Sequence, residues 1–115
     1  MMLKLLKFFA PVLMWPAAAL AAIDVMVVAP QEGEYRHFGH ELVQGVKIAA
    51  QDINNHGGLL GQQINVVVAD DRCEDIFAVS LAQMLSVREE KPNVIIGPYC
   101  SNGFNEAADV FAKAK

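Results

Sequence analysis

Three short apolar segments alternate along this chain with three segments whose apolar residues recur at helical spacing. The apolar segments are rich in Val and Ile and cover residues 23–29, 64–69 and 93–97. The helical segments are expected over about 39–55, about 75–90, and from Ser101 or Asn102 onward. Buried strands alternating with helices are typical of right-handed β-α-β units. The sequence therefore predicts an α/β fold with a parallel sheet and helices on both of its faces.

The helical segments each carry a set of apolar side chains expected to pack on the sheet. Gly57-Gly58 is expected to end the first helix and Pro92 to end the second. The side chains expected to face the core are Leu42, Val43, Val46, Ala49, Ala50, Ile53, Phe77, Ala78, Leu81, Met84, Leu85, Phe104, Ala107, Ala108 and Phe111.

The first 21 residues have the order of a secretory signal peptide. Lys4 and Lys7 precede an apolar run over residues 8–20, which ends in small residues with Ala19-Leu20-Ala21 as the cleavage site. A membrane anchor is the alternative, but the run is shorter than the ~20 residues that span a bilayer, and two prolines interrupt it. We therefore expect cleavage of residues 1–21 and a soluble exported product, because no cysteine for lipid attachment follows.

Cleavage would make the remaining chain more acidic. The whole sequence has a formal net charge of −4, and both lysines of the leader would be lost with no acidic residue. The mature net charge would be −6. A surface of this sign repels phosphate, so nucleic acid is not expected as a partner.

Two cysteines remain in the mature chain, Cys73 and Cys100. An even number in an exported protein favours a disulfide, while two buried thiols or a catalytic thiol are the alternatives. If the first strand lies between the other two, the outer strands are about 9–10 Å apart, since neighbours lie about 4.8 Å apart. A disulfide requires Cα atoms within about 7 Å, so the two loops would have to lean towards each other.

The same strand order predicts where a ligand would bind. In open α/β sheets, ligands bind beyond the carboxyl ends of the strands where the strand order reverses, here between the loops 30–38 and 98–103. Ser101 and Asn102 lie where a helix begins, and its free N–H groups favour an anion such as a carboxylate. Alternatively, Ser101 or Asn102 only caps its own helix.

Other groups of polar residues in the sequence could in principle form a metal or catalytic site. Asp70-Asp71 at a strand end could hold Mg²⁺, but a loop or capping role accounts for the pair better in an exported chain. His37, His40 and Glu41 show no fourth zinc ligand. No nucleophile–base pair is evident, and the glycines after the first helix do not open a helix as a phosphate loop does. No cofactor, metal or catalytic residue is expected.

Three sequence runs resemble the periplasmic leucine/isoleucine/valine-binding proteins. They are Gly45-x-x-x-Ala49-x-x-Asp52-Ile53-Asn54-x-x-Gly57-Gly58-Leu59-x-Gly61, Asp70-Asp71-Arg72-Cys73 and Ile96-Gly97-Pro98-Tyr99-Cys100-Ser101. The resemblance covers nearly all of residues 22–115. It implies a type I periplasmic-binding fold, in which two α/β lobes close on a ligand that an ABC importer then receives. Residues 22–115 would form an incomplete N-terminal lobe of such a protein, and the chain would be truncated at Lys115.

The resemblance also assigns roles to individual residues. Ser101 corresponds to the serine that binds the ligand α-carboxylate, and Phe38 to an aromatic position at the cleft wall. Cys73 and Cys100 correspond to the disulfide pair. Glu32 departs from the family, because it replaces a small residue near the cleft and is expected to alter ligand choice. Asn102 and Gly103 replace small hydroxyl residues after the serine. Asn102 is itself a candidate ligand-binding residue.

These observations predict a non-catalytic, periplasmic solute receptor for a branched-chain or related amino acid. The expected partners are that small molecule and a membrane ABC permease, and the complete protein is expected to be a monomer. The alternative is the extracellular ligand domain of a sensory receptor with the same fold, which a downstream transmembrane segment would identify. An exported α/β enzyme would need an acid–base pair at the crevice, and the sequence does not show one.

Overall fold

The computed structural model describes residues 20–101 and 103–113. The elements in chain order are β1 (Ile23–Val28), α1 (Arg36–Asn55), β2 (Ile64–Ala69), α2 (Asp75–Ser86), β3 (Val94–Ile96) and α3 (Phe104–Lys113). The predicted signal peptide lies outside the described residues, apart from its last two positions. Within the described part of the chain, no helix is both long and apolar enough to cross a membrane.

The three strands form one parallel sheet in the order β2-β1-β3. Val28 of β1 is in register with Ala69 of β2, and Val27 with Ile96 of β3. β1 is the central strand and the most buried, because the strands on both sides and helices on both faces cover it. The predicted α/β fold is confirmed.

Alternate side chains of β1 enter two different cores, as the twofold period of a strand requires. Val27 and Ala29 pack with Val43 of α1 on one face of the sheet. Met26 and Val28 pack with Leu85 of α2 on the other face, where Phe111 of α3 also contacts the cluster. Alanines of α2 and α3 pack the two helices together through Ala78, Ala82 and Ala107. Helices therefore cover both faces of the sheet.

Helix α2 ends four residues earlier than the sequence pattern predicts, at Ser86 instead of Glu90. The four residues after Ser86 are all exposed, and Val87 is 82% exposed. Glu89 and Glu90 would also lie at the negative end of the helix dipole. Burial and electrostatics therefore provide nothing to stabilise another turn.

Helix α3 begins at Phe104, after the predicted start at Ser101 or Asn102. Gly103 has a φ of +72°, a left-handed conformation that a right-handed helix cannot include. A side chain at this position would also approach the Asp75 Cα to 2.5 Å, so the start of α2 packs directly against Gly103. Ser101 therefore lies in the loop before the helix.

Three aromatic or thioether side chains that were expected in the core are substantially exposed. Phe77, Met84 and Phe104 are 40%, 50% and 44% exposed. The alanines of α2 and α3 fill the contact between the two helices, so these larger side chains lie beside the contact. The Phe77 ring instead lies under the Arg72 guanidinium, 5.1 Å from its carbon.

Candidate functional site

The carboxyl ends of all three strands meet at one edge of the sheet. The loops that follow them, here called the strand-end loops, are residues 29–35, 70–74, 97–101 and 103. Backbone hydrogen bonds tie two of these loops to the ends of neighbouring strands: Ala29 N–H donates to the Ala69 carbonyl of β2 at 3.1 Å, and Tyr99 N–H donates to the Val28 carbonyl of β1 at 3.2 Å. The edge predicted to bind a ligand is therefore an ordered surface on which all three loops are neighbours.

A disulfide joins the loop after β2 to the loop after β3. It links Cys73 to Cys100, whose Cα atoms are 5.2 Å apart. The loops lean over the end of β1, as this pairing requires. Cys73 is buried, and Cys100 is immediately followed by Ser101. The covalent bond therefore fixes the segment that carries the predicted ligand-binding serine.

Phe38 and Ser101 contribute to one concave surface, here called the aromatic recess. Its volume is about 410 Å³, and its lining residues are Tyr35, Phe38, Cys73, Tyr99, Cys100 and Ser101. The Phe38 and Tyr99 rings are nearly parallel, at 15°, with centroids 6.1 Å apart. Both rings remain about half exposed, at 40% and 46%. The recess therefore offers two aromatic faces beside a hydroxyl group.

Ser101 lies just before the N-terminus of α3. Its carbonyl accepts a hydrogen bond from Phe104 N–H at 3.2 Å, which is part of the turn that leads into the helix. The Ser101 side chain is exposed. Asn102, the other candidate in this loop, lies outside the described residues. The Ser101 hydroxyl is therefore accessible to a molecule in the recess.

Glu32 lies in an adjoining hollow and not in the aromatic recess itself. This second hollow, here called the acidic hollow, has a volume of about 440 Å³, and its lining residues are Glu32, Gly33, Glu34, Tyr35, Arg72, Cys73 and Glu74. Tyr35 and Cys73 line both depressions. The Glu32 carboxylate is 3.3 Å from the Arg72 guanidinium. Glu32 is therefore an ion-pair partner beside the recess.

The two aspartates after β2 organise loop backbone. The Asp70 carboxylate accepts hydrogen bonds from Gln31 N–H at 2.8 Å and Arg72 N–H at 2.9 Å, so it joins two strand-end loops. Asp71 is 1% exposed and accepts from Cys73 N–H at 3.2 Å. Burial raises the pKa of the Asp71 carboxyl, an effect that the hydrogen bond from Cys73 N–H partly offsets.

The histidines near the start of α1 take part in local contacts. The His37 ring is tilted by 39° against the Phe38 ring with centroids 3.8 Å apart, and His40 Nε2 lies 3.1 Å from the Gln31 carbonyl oxygen. Over the described ranges 20–101 and 103–113, no three acidic, histidine or cysteine side chains are grouped as metal ligands.

Three residues at this edge were not singled out from the sequence. Tyr35 and Tyr99 complete the recess, and Arg72 links the acidic hollow to Asp70 and Phe77. Tyr99 carries a sequence signal, because it is next to Cys100 in a strand-end loop. Arg72 likewise adjoins Cys73 in a strand-end loop, but its contacts with Glu32 and Phe77 have no signal in the sequence.

A larger hollow lies away from the strand ends, on the exposed side of α2 and α3. Its volume is about 550 Å³, and its lining residues are Asp75, Ile76, Val79, Ser80, Gln83 and Glu106. It contains no aromatic side chain and is formed by helix surfaces. Position at the strand ends, more than size, therefore favours the aromatic recess as the candidate site.

Comparison with known proteins adds to this geometry. Residues 22–115 match the family described as Periplasmic binding protein. The chain belongs to the periplasmic binding protein family. An amino acid binding protein of Pseudomonas aeruginosa is 38% identical over 96 residues, which are 84% of this chain and 25% of that protein. The Leu/Ile/Val-binding protein of Escherichia coli is 32% identical over 89 residues, 77% of this chain and 24% of that relative.

A solved structure shows the same fold. The branched-chain amino acid transporter substrate binding protein LivJ of Streptococcus pneumoniae, in complex with isoleucine, superimposes with a TM-score of 0.69 at 27% identity. The match covers 81% of this chain and 26% of that one. The sheet and helices thus form part of the N-terminal lobe of a type I periplasmic-binding fold. The chain spans about a quarter of the length of the relatives it matches.

Proposed function

We propose that this chain belongs to a periplasmic protein that captures an amino acid, of the branched-chain class or closely related to it. The observation that carries the proposal is the aromatic recess, which brings the Ser101 hydroxyl and two aromatic rings together beside the N-terminus of α3. The relatives named above support it, because their names and the isoleucine complex refer to amino-acid binding.

The chemistry of the recess suits the two ends of such a ligand. An α-carboxylate would lie near Ser101, where the hydroxyl donates a hydrogen bond and the free N–H groups of the α3 N-terminus favour negative charge. An aliphatic side chain would contact the exposed ring faces of Phe38 and Tyr99, which lose water on contact. The recess is open to solvent, so a second lobe of the complete protein would close over the ligand by hinge motion.

The proposal extends to location and partner. The leader over residues 1–21 would direct export and be removed, and the receptor would deliver its ligand to a membrane ABC permease. Phe38 and Ser101 would act in binding alone. In this proposal no residue of the strand-end loops carries out covalent chemistry.

Calorimetric titration of the protein, purified as its gene encodes it, with leucine, isoleucine and valine tests this function. Ser101→Ala should weaken binding roughly 10- to 150-fold, because a hydrogen bond to a charged group contributes about 1.5–3 kcal/mol. Leucinamide, which lacks the carboxylate, should bind much more weakly to wild type and should be little affected by the substitution.

Ser80→Ala is the matched control, since Ser80 is an exposed serine on α2 away from the recess. Its leucine affinity should equal that of wild type. Equal affinities of wild type and Ser101→Ala would refute the role of Ser101. Absence of binding for all three amino acids would refute the proposed ligand class.

A further inference from the structure

Arg72 has a backbone conformation that a non-glycine residue adopts only when its surroundings hold it. Its φ is +51°, and that of the next residue, Cys73, is +57°. Two successive residues in the left-handed region are unusual for L-amino acids. Both peptide N–H groups are held by aspartates: Arg72 N–H donates to Asp70 and Cys73 N–H donates to Asp71.

The Arg72 side chain joins segments that are distant in the sequence. Its Nη2 is 3.3 Å from a Glu32 carboxylate oxygen in the loop after β1, and its Nε is 3.9 Å from Asp70 Oδ2. The guanidinium carbon also lies 5.1 Å from the centre of the Phe77 ring on α2. One cation therefore connects two strand-end loops and a helix.

The Arg72 contacts are linked to the aromatic recess through the disulfide. Cys73 follows Arg72 and is bonded to Cys100, and Ser101 follows Cys100. A change in the Arg72 backbone would rotate the Cys73 side chain and, through the disulfide, move the segment with Ser101. The recess shares Cys73 and Tyr35 with the hollow in which Arg72 and Glu32 pair.

We propose that Arg72 is a positioning residue, which fixes the disulfide loop through Glu32, Asp70 and Phe77 and so holds the Ser101 hydroxyl in the aromatic recess. Arg72 does not contact the ligand in this proposal. The effect on binding rests on the proposed amino-acid function, whereas the effect on loop order does not.

The side-chain contacts are individually weak, because Arg72 and Glu32 are 49% and 70% exposed and water screens their charges. Their combination matters, because three partners restrain one guanidinium and two aspartates restrain the adjoining backbone. Removing the guanidinium leaves the two left-handed residues held by the hydrogen bonds to Asp70 and Asp71 and by the disulfide of Cys73. Local order in the loop, more than global stability, should then fall.

Amide hydrogen exchange, measured by mass spectrometry with the disulfide reduced after quenching, tests the proposal on the protein as its gene encodes it. Arg72→Ala should accelerate exchange of residues 70–74 and 97–101 about five- to tenfold, as expected when two weak ion pairs and one cation–π contact are lost. Exchange in β1 should not change. Arg72→Lys should recover part of the protection, because it keeps a cation near Glu32. Arg88 is an exposed arginine just after α2, and Arg88→Ala should match wild type.

Leucine titration of the same variants is the second arm. Arg72→Ala should weaken leucine binding by a similar factor, and Arg72→Lys should restore part of it. A wild-type protein that does not bind leucine would refute the proposed function, while the exchange arm would still decide the positioning role. Unchanged exchange over 97–101 in Arg72→Ala would overturn the proposal.

A second variant covers the case in which Arg72→Ala unfolds the whole domain. Glu32→Gln removes the ion pair between Glu32 and Arg72 and leaves the loop backbone and the Phe77 contact in place. Faster exchange confined to the strand-end loops in this variant supports the proposal. Exchange at the wild-type rate, or equally faster exchange in every element, overturns it.

Discussion

Gly39 lies at the closest approach of α1 to the loop after β1, and its replacement tests how tightly the fold holds Phe38. A Cβ atom at this position would overlap the backbone carbonyl of Pro30, whose carbon would be only 2.7 Å away. Pro30 is fully buried, and its carbonyl belongs to the segment that leaves the central strand. A shift of the helix backbone at Gly39 would displace Phe38, the residue just before it. Gly39→Ala should therefore destabilise the fold.

The magnitude follows from two opposing effects. Alanine is a better helix former than glycine by about 1 kcal/mol in a helix interior. Overpacking a well-packed site costs about 1–3 kcal/mol, and a rigid backbone carbonyl places this site at the upper end of that range. The net loss in unfolding free energy should be about 1–2 kcal/mol.

Gly45 provides a matched control on the same helix. It is exposed, and a Cβ atom there would have no neighbour within 4 Å. Gly45→Ala should gain about 1 kcal/mol from helix propensity alone. The free energies of unfolding of the two variants should thus lie on opposite sides of the wild-type value and differ from each other by about 2–3 kcal/mol.

Urea denaturation followed by far-ultraviolet circular dichroism measures both free energies of unfolding. The midpoint should be lower than wild type for Gly39→Ala and higher for Gly45→Ala, with similar slopes. A Gly39→Ala protein as stable as Gly45→Ala would refute the inference that the Pro30 carbonyl limits the space at this position.

Two further predictions concern the loop after β2. The double variant Cys73→Ala, Cys100→Ala should have a free energy of unfolding about 3–4 kcal/mol lower than wild type, because the disulfide spans 27 residues and restricts the unfolded chain. Urea denaturation measures this loss, and a loss below about 1 kcal/mol would contradict the entropic account. Burial raises the pKa of Asp71, so the folded state holds this proton more tightly than the unfolded chain. The free energy of unfolding should therefore fall as pH rises from the ordinary aspartate pKa through the folded-state pKa, and Asp71→Asn should lack this fall. Urea unfolding over a pH series checks it, and identical pH profiles for the two proteins would count against it.

Local sequence patterns were sufficient for the elements of this fold. The Val- and Ile-rich runs predicted all three strands, and β2 has the expected bounds of Ile64–Ala69. The apolar stripe around Val43 predicted α1, and the structure places Val43 in the core. These predictions succeed because strand and helix periods depend on neighbours within a few residues, and burial of the resulting faces reinforces them.

Element ends and individual burial were predicted less well. The length of α2 depends on which side chains reach a core, and the start of α3 depends on Gly103 lying against Asp75. Phe77 was expected inside the protein, but its ring instead contacts Arg72. Each outcome depends on tertiary packing, which the spacing of apolar residues along the chain does not encode.

The sequence by itself determined the α/β class, the order of the elements and the loop that carries Ser101. The sequence also identified Cys73 and Cys100 as candidates for a disulfide, and the structure contains this disulfide. Only the tertiary structure decided that Phe38 faces Tyr99 across the recess and that Arg72 joins Glu32 to Phe77. The physical reason is that the order β2-β1-β3 brings the three strand ends together, and contacts across that edge leave no periodic signal along the chain.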